Sequence, residues 1–296
     1  MRIEGLKSGA VRVAQAIHPG REGRAAGTSI PGPCYFGPQG RRPRVLLFTG
    51  DGVGDVNGSF VLARLAAFLH FCAQADSATS LRLREPVVIF PAGAGSHPTR
   101  ALAAGIPYRI RIRSPDPGLE ELPQVRLYGP ADDERADACL FGLPAVVEYP
   151  PIQPDGNPRF EIILGSAGRL HKGYCERLFR SLVAFLLRAS VLEGESLSED
   201  EEDDLHYFTA ERERRASAGV AGILIALHEP GAWVQAGETL GDIYDRYDGG
   251  VRESIPALVS GLLTGVRCSG LVDRGDPLFC IQPRPPQSAG RGTGRR

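Results

Sequence analysis

Between Arg44 and Leu192, short apolar β-branched runs alternate with stretches whose apolar residues return every three or four positions. This alternation constrains the fold more than any other feature. Buried strands joined by amphipathic helices have one economical solution, a largely parallel sheet with the helices packed against it. The strand candidates are Arg44–Thr49, Pro86–Pro91, Val125–Tyr128, Pro144–Tyr149 and Phe160–Leu164. The first helix is marked by Val61, Leu65, Phe68 and Cys72 behind Asn57 and Ser59 as capping residues. A second is expected from Asp132 or Asp133 to Gly142, and a third over Gly173–Leu192 with Leu178, Leu182, Phe185 and Ala189 on one face.

The pattern changes on either side. Residues 1–43 are rich in Gly, Pro and Arg, with one alternating piece, Ala10–Ile17, expected as an edge strand. Residues 193–215 form a charged linker, with eight acidic residues from Glu193 to Asp204 followed by the basic end of Glu211–Arg215. A regulatory docking segment is the alternative reading of that stretch. Residues 216–282 hold two Gly-punctuated copies of one plan, Gly222–Ile243 and Gly261–Ile281, each ending in Val-x-x-Gly-Asp/Glu-x-Leu-x-x-Ile or a close form. A two-fold repeat of this kind predicts a small all-β domain of two hairpin-like halves that bury one another. The Pro-, Gly- and Arg-rich tail, 283–296, has too few apolar groups to offset its ordering entropy. The chain thus reads as an α/β domain over 44–192 and a smaller C-terminal β domain.

Charge supplies a second bound. Lys and Arg total 34 against 35 acidic residues, so no net field draws the protein to nucleic acid or to an anionic membrane. The first residues carry charges where a secretory signal would have an apolar core. The best apolar run, Leu178–Leu192, is interrupted by Arg180 and Arg188. A cytoplasmic protein without nucleic-acid or membrane partners is the expectation. The six cysteines show no C-x-x-C pair and read as reduced structural thiols.

Gly50-x-Gly52-x-Gly54 follows a strand and precedes a helix, as dinucleotide loops do, but Asp55 stands where the third glycine would fall, and no G-x-x-x-x-G-K-[ST] loop exists. Asp51, Asp55 and Asn57 do not match the spacing of a calcium loop. His70, His171, His206 and His228 form no H-E-x-x-H pattern, and there is no G-x-S-x-G elbow. A Val-x-x-Gly-Asp/Glu turn is also found in biotinyl and lipoyl carriers. Those carry a lysine at a hairpin tip, however, and Lys7 and Lys172 are the only lysines here.

Taken in order, the strand, the Gly50–Gly58 loop ending Val56-Asn57-Gly58, the helix, the strand ending Phe90-Pro91, the segment Gly142-Leu-Pro-Ala-Val-Val-Glu148 and the two C-terminal repeats resemble the succinylglutamate desuccinylase and aspartoacylase family, over roughly residues 44–281. The resemblance implies a carboxypeptidase-like α/β fold, a mixed, largely parallel sheet flanked by helices, followed by a barrel-sandwich-like β domain. It also implies zinc-dependent hydrolysis of the amide bond of an N-acyl amino acid or a related amide. In such chemistry three protein ligands leave one position on zinc for a water, whose pKa falls to about 7, and a nearby carboxylate shuttles its proton.

Laid on the family's first motif, Gly52 falls where a histidine ligand belongs and Asp55 where a glutamate ligand belongs, while no Asp-[Leu/Ile]-His element follows. The resemblance therefore nominates Asp55, with Asp51 and His97 as substitute ligands, Glu148 as the catalytic carboxylate, and Asn57 and Arg100 as substrate-binding residues. The alternative is that the aspartates cap the helix or stay solvated and that His97 and Arg100 are ordinary loop residues. Two functions stay open: a hydrolase with an altered metal site, or a non-catalytic pseudoenzyme that binds a small molecule or a protein partner through the retained cleft.

Overall fold

The computed structural model describes residues 33–50, 54–73, 81–90, 105–151, 158–194 and 205–284. The expected edge strand Ala10–Ile17, nearly all of the acidic run and the end of the tail lie outside them. Two compact units emerge, one of residues 1–117 and 122–207, the other of residues 118–121 and 208–296.

The first unit contains β1 (Cys34–Phe36), β2 (Val45–Thr49), α1 (Val56–Ala73), β3 (Arg82–Leu83), β4 (Val87–Phe90), β5 (Tyr108–Arg113), β6 (Leu119–Tyr128, counted here from Leu122), α2 (Asp132–Cys139), β7 (Ala145–Tyr149), β8 (Phe160–Ser166), α3 (Lys172–Arg188), β9 (Leu192–Glu193) and the start of β10 (His206–Thr209). Its sheet runs β1-β4-β2-β5-β8-β6-β7. The pairs β4–β2, β2–β5, β5–β8 and β6–β7 are parallel, and only the edge strand β1 is shown antiparallel to its neighbour. The sheet is therefore mixed and mainly parallel, with three helices among the described residues.

Alternation along the strands sorts the sheet's two faces. Val45, Leu47, Val87, Ile89, Ile110, Ile112, Phe160, Ile162 and Leu164 join Leu62, Leu65 and Leu69 of α1, Ala138 of α2 and Leu178, Leu182 and Phe185 of α3 in one core. Phe141 and Phe185 stack at its centre, 4.3 Å apart. On the other face Leu46, Val88, Phe90 and Ile106 form a smaller apolar cluster, and β5 presents Arg109, Arg111 and Arg113 there. α1 is 18 residues long with a mean hydropathy of 1.4, long and apolar enough by composition to cross a bilayer. It exceeds Leu178–Leu192 in this respect, and its apolar face is buried in the core.

Several elements depart from expectation for local reasons. α1 begins at Val56, so Asn57 and Ser59 lie inside its first turn and do not cap it. α2 likewise takes Ala131 as its cap and places Asp132 and Asp133 in its first turn, where acidic groups suit the helix dipole. α3 stops at Arg188 because Ser190 adopts a left-handed φ of 56°; Val191 and Leu192 remain buried and prolong the apolar pattern beyond the helix. β5 is absent from the sequence-based strands because its Tyr-Arg-Ile-Arg-Ile-Arg stretch is only half apolar. β6 extends back to Leu119 through Pro123.

The second unit contains the one-turn 3₁₀ helix Ala210–Arg212 and the strands β11 (Arg214–Ser217), β12 (Gly222–Ala226), β13 (Trp233–Val234), β14 (Thr239–Tyr244), β15 (Val251–Pro256), β16 (Gly261–Arg267), β17 (Leu271–Val272) and β18 (Pro277–Pro283). Each sequence repeat is a long strand, a two-residue strand and a second long strand. The long strands pair within a repeat, β12 with β14 and β16 with β18. The short strands are exchanged: β13 of the first repeat pairs with β16 of the second, and β17 of the second pairs with β12 of the first. The opening glycines explain why both repeats start alike. A Cβ on Gly222 would run into the carbonyl of Tyr244, and one on Gly261 into the carbonyl of Gln282.

Candidate functional site

In a parallel sheet the carboxyl ends of the strands open onto the crevice where ligands bind. Here β2, β5 and β8 end side by side at Thr49, Arg113 and Ser166. The loop after β2 leads into α1, whose first turn lies against the strands because Gly58 has no side chain. A Cβ there would stand 3.1 Å from the Ile112 carbonyl oxygen and 3.2 Å from Thr49 Cγ2.

Asp55 is buried beside this crevice. Its Oδ1 accepts a hydrogen bond from the Ser114 backbone N–H at 2.6 Å, and its carboxylate covers Gly50, where a Cβ would collide with Oδ2. Ser114 Oγ donates to the Gly54 carbonyl at 3.3 Å, so both ends of this contact tie the β2–α1 loop to the end of β5. A Cβ on Gly50 would also meet Cβ of Arg113 at 3.3 Å, which puts the stem of Arg113 beside the loop.

Asn57 is fully buried and bonded on both sides of its amide. Nδ2 donates to the carbonyls of Ser166 at 3.2 Å and Arg169 at 2.9 Å. Oδ1 accepts from the His171 backbone N–H at 2.8 Å and from Cys175 Sγ at 3.4 Å. The side chain thus clamps the β8–α3 turn onto α1. Ser166 Oγ and His171 Nε2 lie 2.8 Å apart in the same turn. Burial pushes the Cys175 thiol up to about 11.

Glu148 is elsewhere. It sits on β7, four strand positions from β2 in the order β2-β5-β8-β6-β7, a separation of roughly 19 Å at about 4.8 Å per strand. Arg135 of α2 grips it with two hydrogen bonds, Nε to Oε2 at 3.1 Å and Nη2 to Oε1 at 2.7 Å, and Tyr207 Oη donates to Oε2 at 2.8 Å. The hydrogen bond from Arg135, aided by that from Tyr207 and against some desolvation, holds its carboxyl below the ordinary range. The structure does not bring Glu148 together with Asp55. Asp51, His97 and Arg100 lie outside the described residues.

A different carboxylate stands next to β5. Glu161 of β8, 4% exposed, faces Arg111 in register. Its Oε1 lies 3.1 Å from Arg113 Nε and 3.7 Å from Arg111 Nη1, and Tyr128 Oη donates to Oε2 at 2.6 Å. Burial, reinforced by the Glu161 charge, raises the Tyr128 phenol well above its usual pKa. Motif reading passes over this cluster. Its one sequence signal is the strict Ile–Arg alternation of β5, which places arginines on a sheet face instead of at a polar edge.

The described residues do not fit a zinc site. None of them form a group of three or more His, Cys, Asp and Glu side chains able to hold a metal ion. Asp55, the one nominated ligand among them, spends an oxygen on Ser114, and the guanidinium-bearing Arg113 stands beside its loop.

No protein-family model and no curated protein matches this chain. Solved structures do, and many of them are succinylglutamate desuccinylase/aspartoacylase family proteins. Their architecture, a desuccinylase/aspartoacylase-type α/β fold, is the architecture of this chain. The ectoine utilization protein EutE (DoeB) from Ruegeria pomeroyi superposes with a TM-score of 0.64 at 18% identity, covering 82% of this chain and 86% of its own. A succinylglutamate desuccinylase from Silicibacter sp. TM1040 gives 0.64 at 16% identity, over 81% and 85%. An aspartoacylase family protein from Mesorhizobium loti gives 0.62 at 13%, over 86% and 88%.

Proposed function

We propose that this chain is a desuccinylase/aspartoacylase-type protein that binds a small N-acyl amino acid or related amide at the carboxyl ends of β2, β5 and β8, as a non-catalytic relative of the zinc hydrolases. The observation that carries this reading is the pairing of Asp55 with the Ser114 N–H, beside Arg113. A short carboxylate already oriented by a backbone donor, with no group of three His, Cys, Asp or Glu side chains around it among the described residues, is a poor substitute for the missing metal ligands. The position of Glu148 supports the same reading, because β7 lies three strand positions from β5, whose end holds Asp55, roughly 14 Å at about 4.8 Å per strand, too far for that carboxylate to take a proton from a water held near Asp55. The exchange of short strands between the two repeats supports residues 208–284 as an all-β, barrel-sandwich-like scaffold. The test is elemental analysis of protein purified without chelator, followed by assay of N-acyl amino acid hydrolysis. Zinc well below one equivalent and no turnover are expected; stoichiometric zinc with zinc-dependent turnover would defeat the reading.

A second reading, metal-dependent amide hydrolysis, is favoured by one specific observation. The segments that carry Asp51 and His97 follow β2 and β4, which are parallel neighbours, so both leave the sheet at the same end as Asp55. It predicts that Asp51→Ala and His97→Ala each abolish zinc retention.

A further inference from the structure

We propose that the outer face of the four-stranded sheet β15-β14-β12-β17 is an interface between two copies of this chain, which pair face to face about a two-fold axis. The inference goes beyond the reading of the first unit's crevice and does not depend on it.

The stretch Gly222-Ile-Leu-Ile-Ala226 of β12, with Leu227 after it, is apolar at every position. An antiparallel sheet with one wet face alternates apolar and polar residues, whereas a strand apolar throughout belongs to a sheet covered on both faces. The inner face is covered within the unit: Leu224 of β12, Ile243 of β14, Ile255 of β15 and Val272 of β17 meet in its core. The outer face is open. Ile223 stands opposite Tyr244 on one side and Leu271 on the other, and Tyr244 stands opposite Val251. Each of the four strands thus gives one aliphatic or aromatic side chain to a single row, and Ile225 and Leu227 extend the patch along β12 at two-residue spacing. Ile223, Ile225, Leu227, Val251 and Leu271 are 38% to 60% exposed.

Charge, symmetry and area together select a second copy as the occupant. Of the outward positions paired across the sheet only Asp242 is charged, and Ser254 Oγ donates to it at 2.6 Å. Arg246 and Arg252, near the hairpin end of the row, lie 3.4 Å from Asp273 and 3.6 Å from Asp245. A strongly charged partner therefore finds little to pair with here. The row is apolar read from either end, so a two-fold axis parallel to the strands sets Leu271 against the partner's Val251 and Ile223 against the partner's Tyr244. An isologous contact needs this self-complementarity, and packed sheets keep their strands nearly aligned. The five exposed aliphatic residues present on the order of 400 Å² of apolar surface, within the range of a monomer's largest patches, which are often functional. Tyr247, at the tip of the β14–β15 hairpin, is 98% exposed, and with it and the polar rim the face approaches the roughly 800 Å² per partner of a standard interface.

The experiment is sedimentation velocity on the full chain over about 1–100 μM. A species of twice the 31.7 kDa chain mass is expected to grow with concentration. Its dissociation constant should stay level or tighten between about 0.1 and 1 M salt, because apolar contacts are not screened. Ile225→Glu and Leu271→Glu should each weaken it about a hundredfold, since each buries an unpaired charge, whereas Tyr35→Glu on β1, 60% exposed, should leave it unchanged. Where a circular dichroism melt shows that a charge variant does not fold, Ile225→Ala and Leu271→Ala carry the same comparison, with about tenfold weakening expected. A chain monomeric throughout, a dimer that persists unweakened in the folded variants, or one that loses about tenfold or more of its affinity in high salt would each overturn the proposal. A monomer that instead floats with phosphatidylcholine vesicles, and loses them on Leu271→Glu, would assign the face to a lipid surface and overturn it as well.

Discussion

Arg135 holds Glu148 through two nitrogens, Nε on Oε2 at 3.1 Å and Nη2 on Oε1 at 2.7 Å, so the glutamate that most resembles a catalytic base is one half of a bidentate ion pair. Its carboxyl is held low chiefly by that hydrogen bond. A depressed folded-state pKa contributes stability that is present above the unfolded value, about 4.3, and lost as pH falls through the folded value. Glu148→Gln should therefore lower the melting temperature at pH 7, with the difference from the parent shrinking as pH falls below about 4. A melting-temperature gap that stays constant from pH 7 to pH 3 would show that the pair contributes nothing through its charge.

Asp55 acts here through one oxygen on one backbone N–H. Asp55→Asn keeps an acceptor at that place and should change the urea midpoint little. Asp55→Ala leaves the Ser114 N–H buried without it and should cost about 1–3 kcal/mol. Equal losses in the two variants would point to the carboxylate charge as the important feature.

Asn57, itself fully buried, satisfies two carbonyls and one N–H of the β8–α3 turn. Asn57→Ala should destabilise the first unit by about 3 kcal/mol, since several buried groups lose partners at once. Hydrogen exchange should show the loss concentrated at His171 and the start of α3. A variant as stable as the parent would remove the clamp from this account.

Gly222 and Gly261 open the two repeats, each against a neighbouring carbonyl. Gly222→Ala and Gly261→Ala should each cost about 1–3 kcal/mol by overpacking, read from denaturation of the intact chain. Neutral behaviour at either position would mean that the strands can separate without penalty.

Cysteine reactivity should follow burial. Cys139 and Cys268 are exposed, whereas Cys72, Cys175 and Cys280 are buried, and the Cys175 thiol is pushed up to about 11. At pH 8 a thiol reagent should label Cys268 rapidly, Cys139 more slowly because partial desolvation raises its thiol and it donates to the Arg135 carbonyl, and the buried three only after denaturation. Rapid native labelling of Cys175 would contradict its placement under Asn57.

Much of the first unit was legible because its signals are local. β2, β4, β7 and β8 announce themselves as apolar runs, and α1 and α3 by helical spacing. The glycine plan of the two repeats likewise foretold paired strands. β5 escaped because half of its residues are arginine, and α3 ended early because one left-handed serine interrupts a pattern that periodicity alone continues. The site was harder to read. Asn57 and Asp55 stand out in a motif, yet their partners Ser114, Ser166 and His171 lie 59 to 114 residues away.

By itself, then, the sequence determined where the apolar strands β2, β4, β7 and β8 and the helices α1 and α3 lie, that they build an α/β unit, and that the terminal glycine pattern repeats. These follow from side-chain spacing, which acts over a few residues. Which carboxylate faces which cation was decided only by the tertiary structure. Strand order places Glu161 against Arg113 and carries Glu148 roughly 19 Å from β2, because register and order are settled by packing between distant segments and leave no mark in local periodicity.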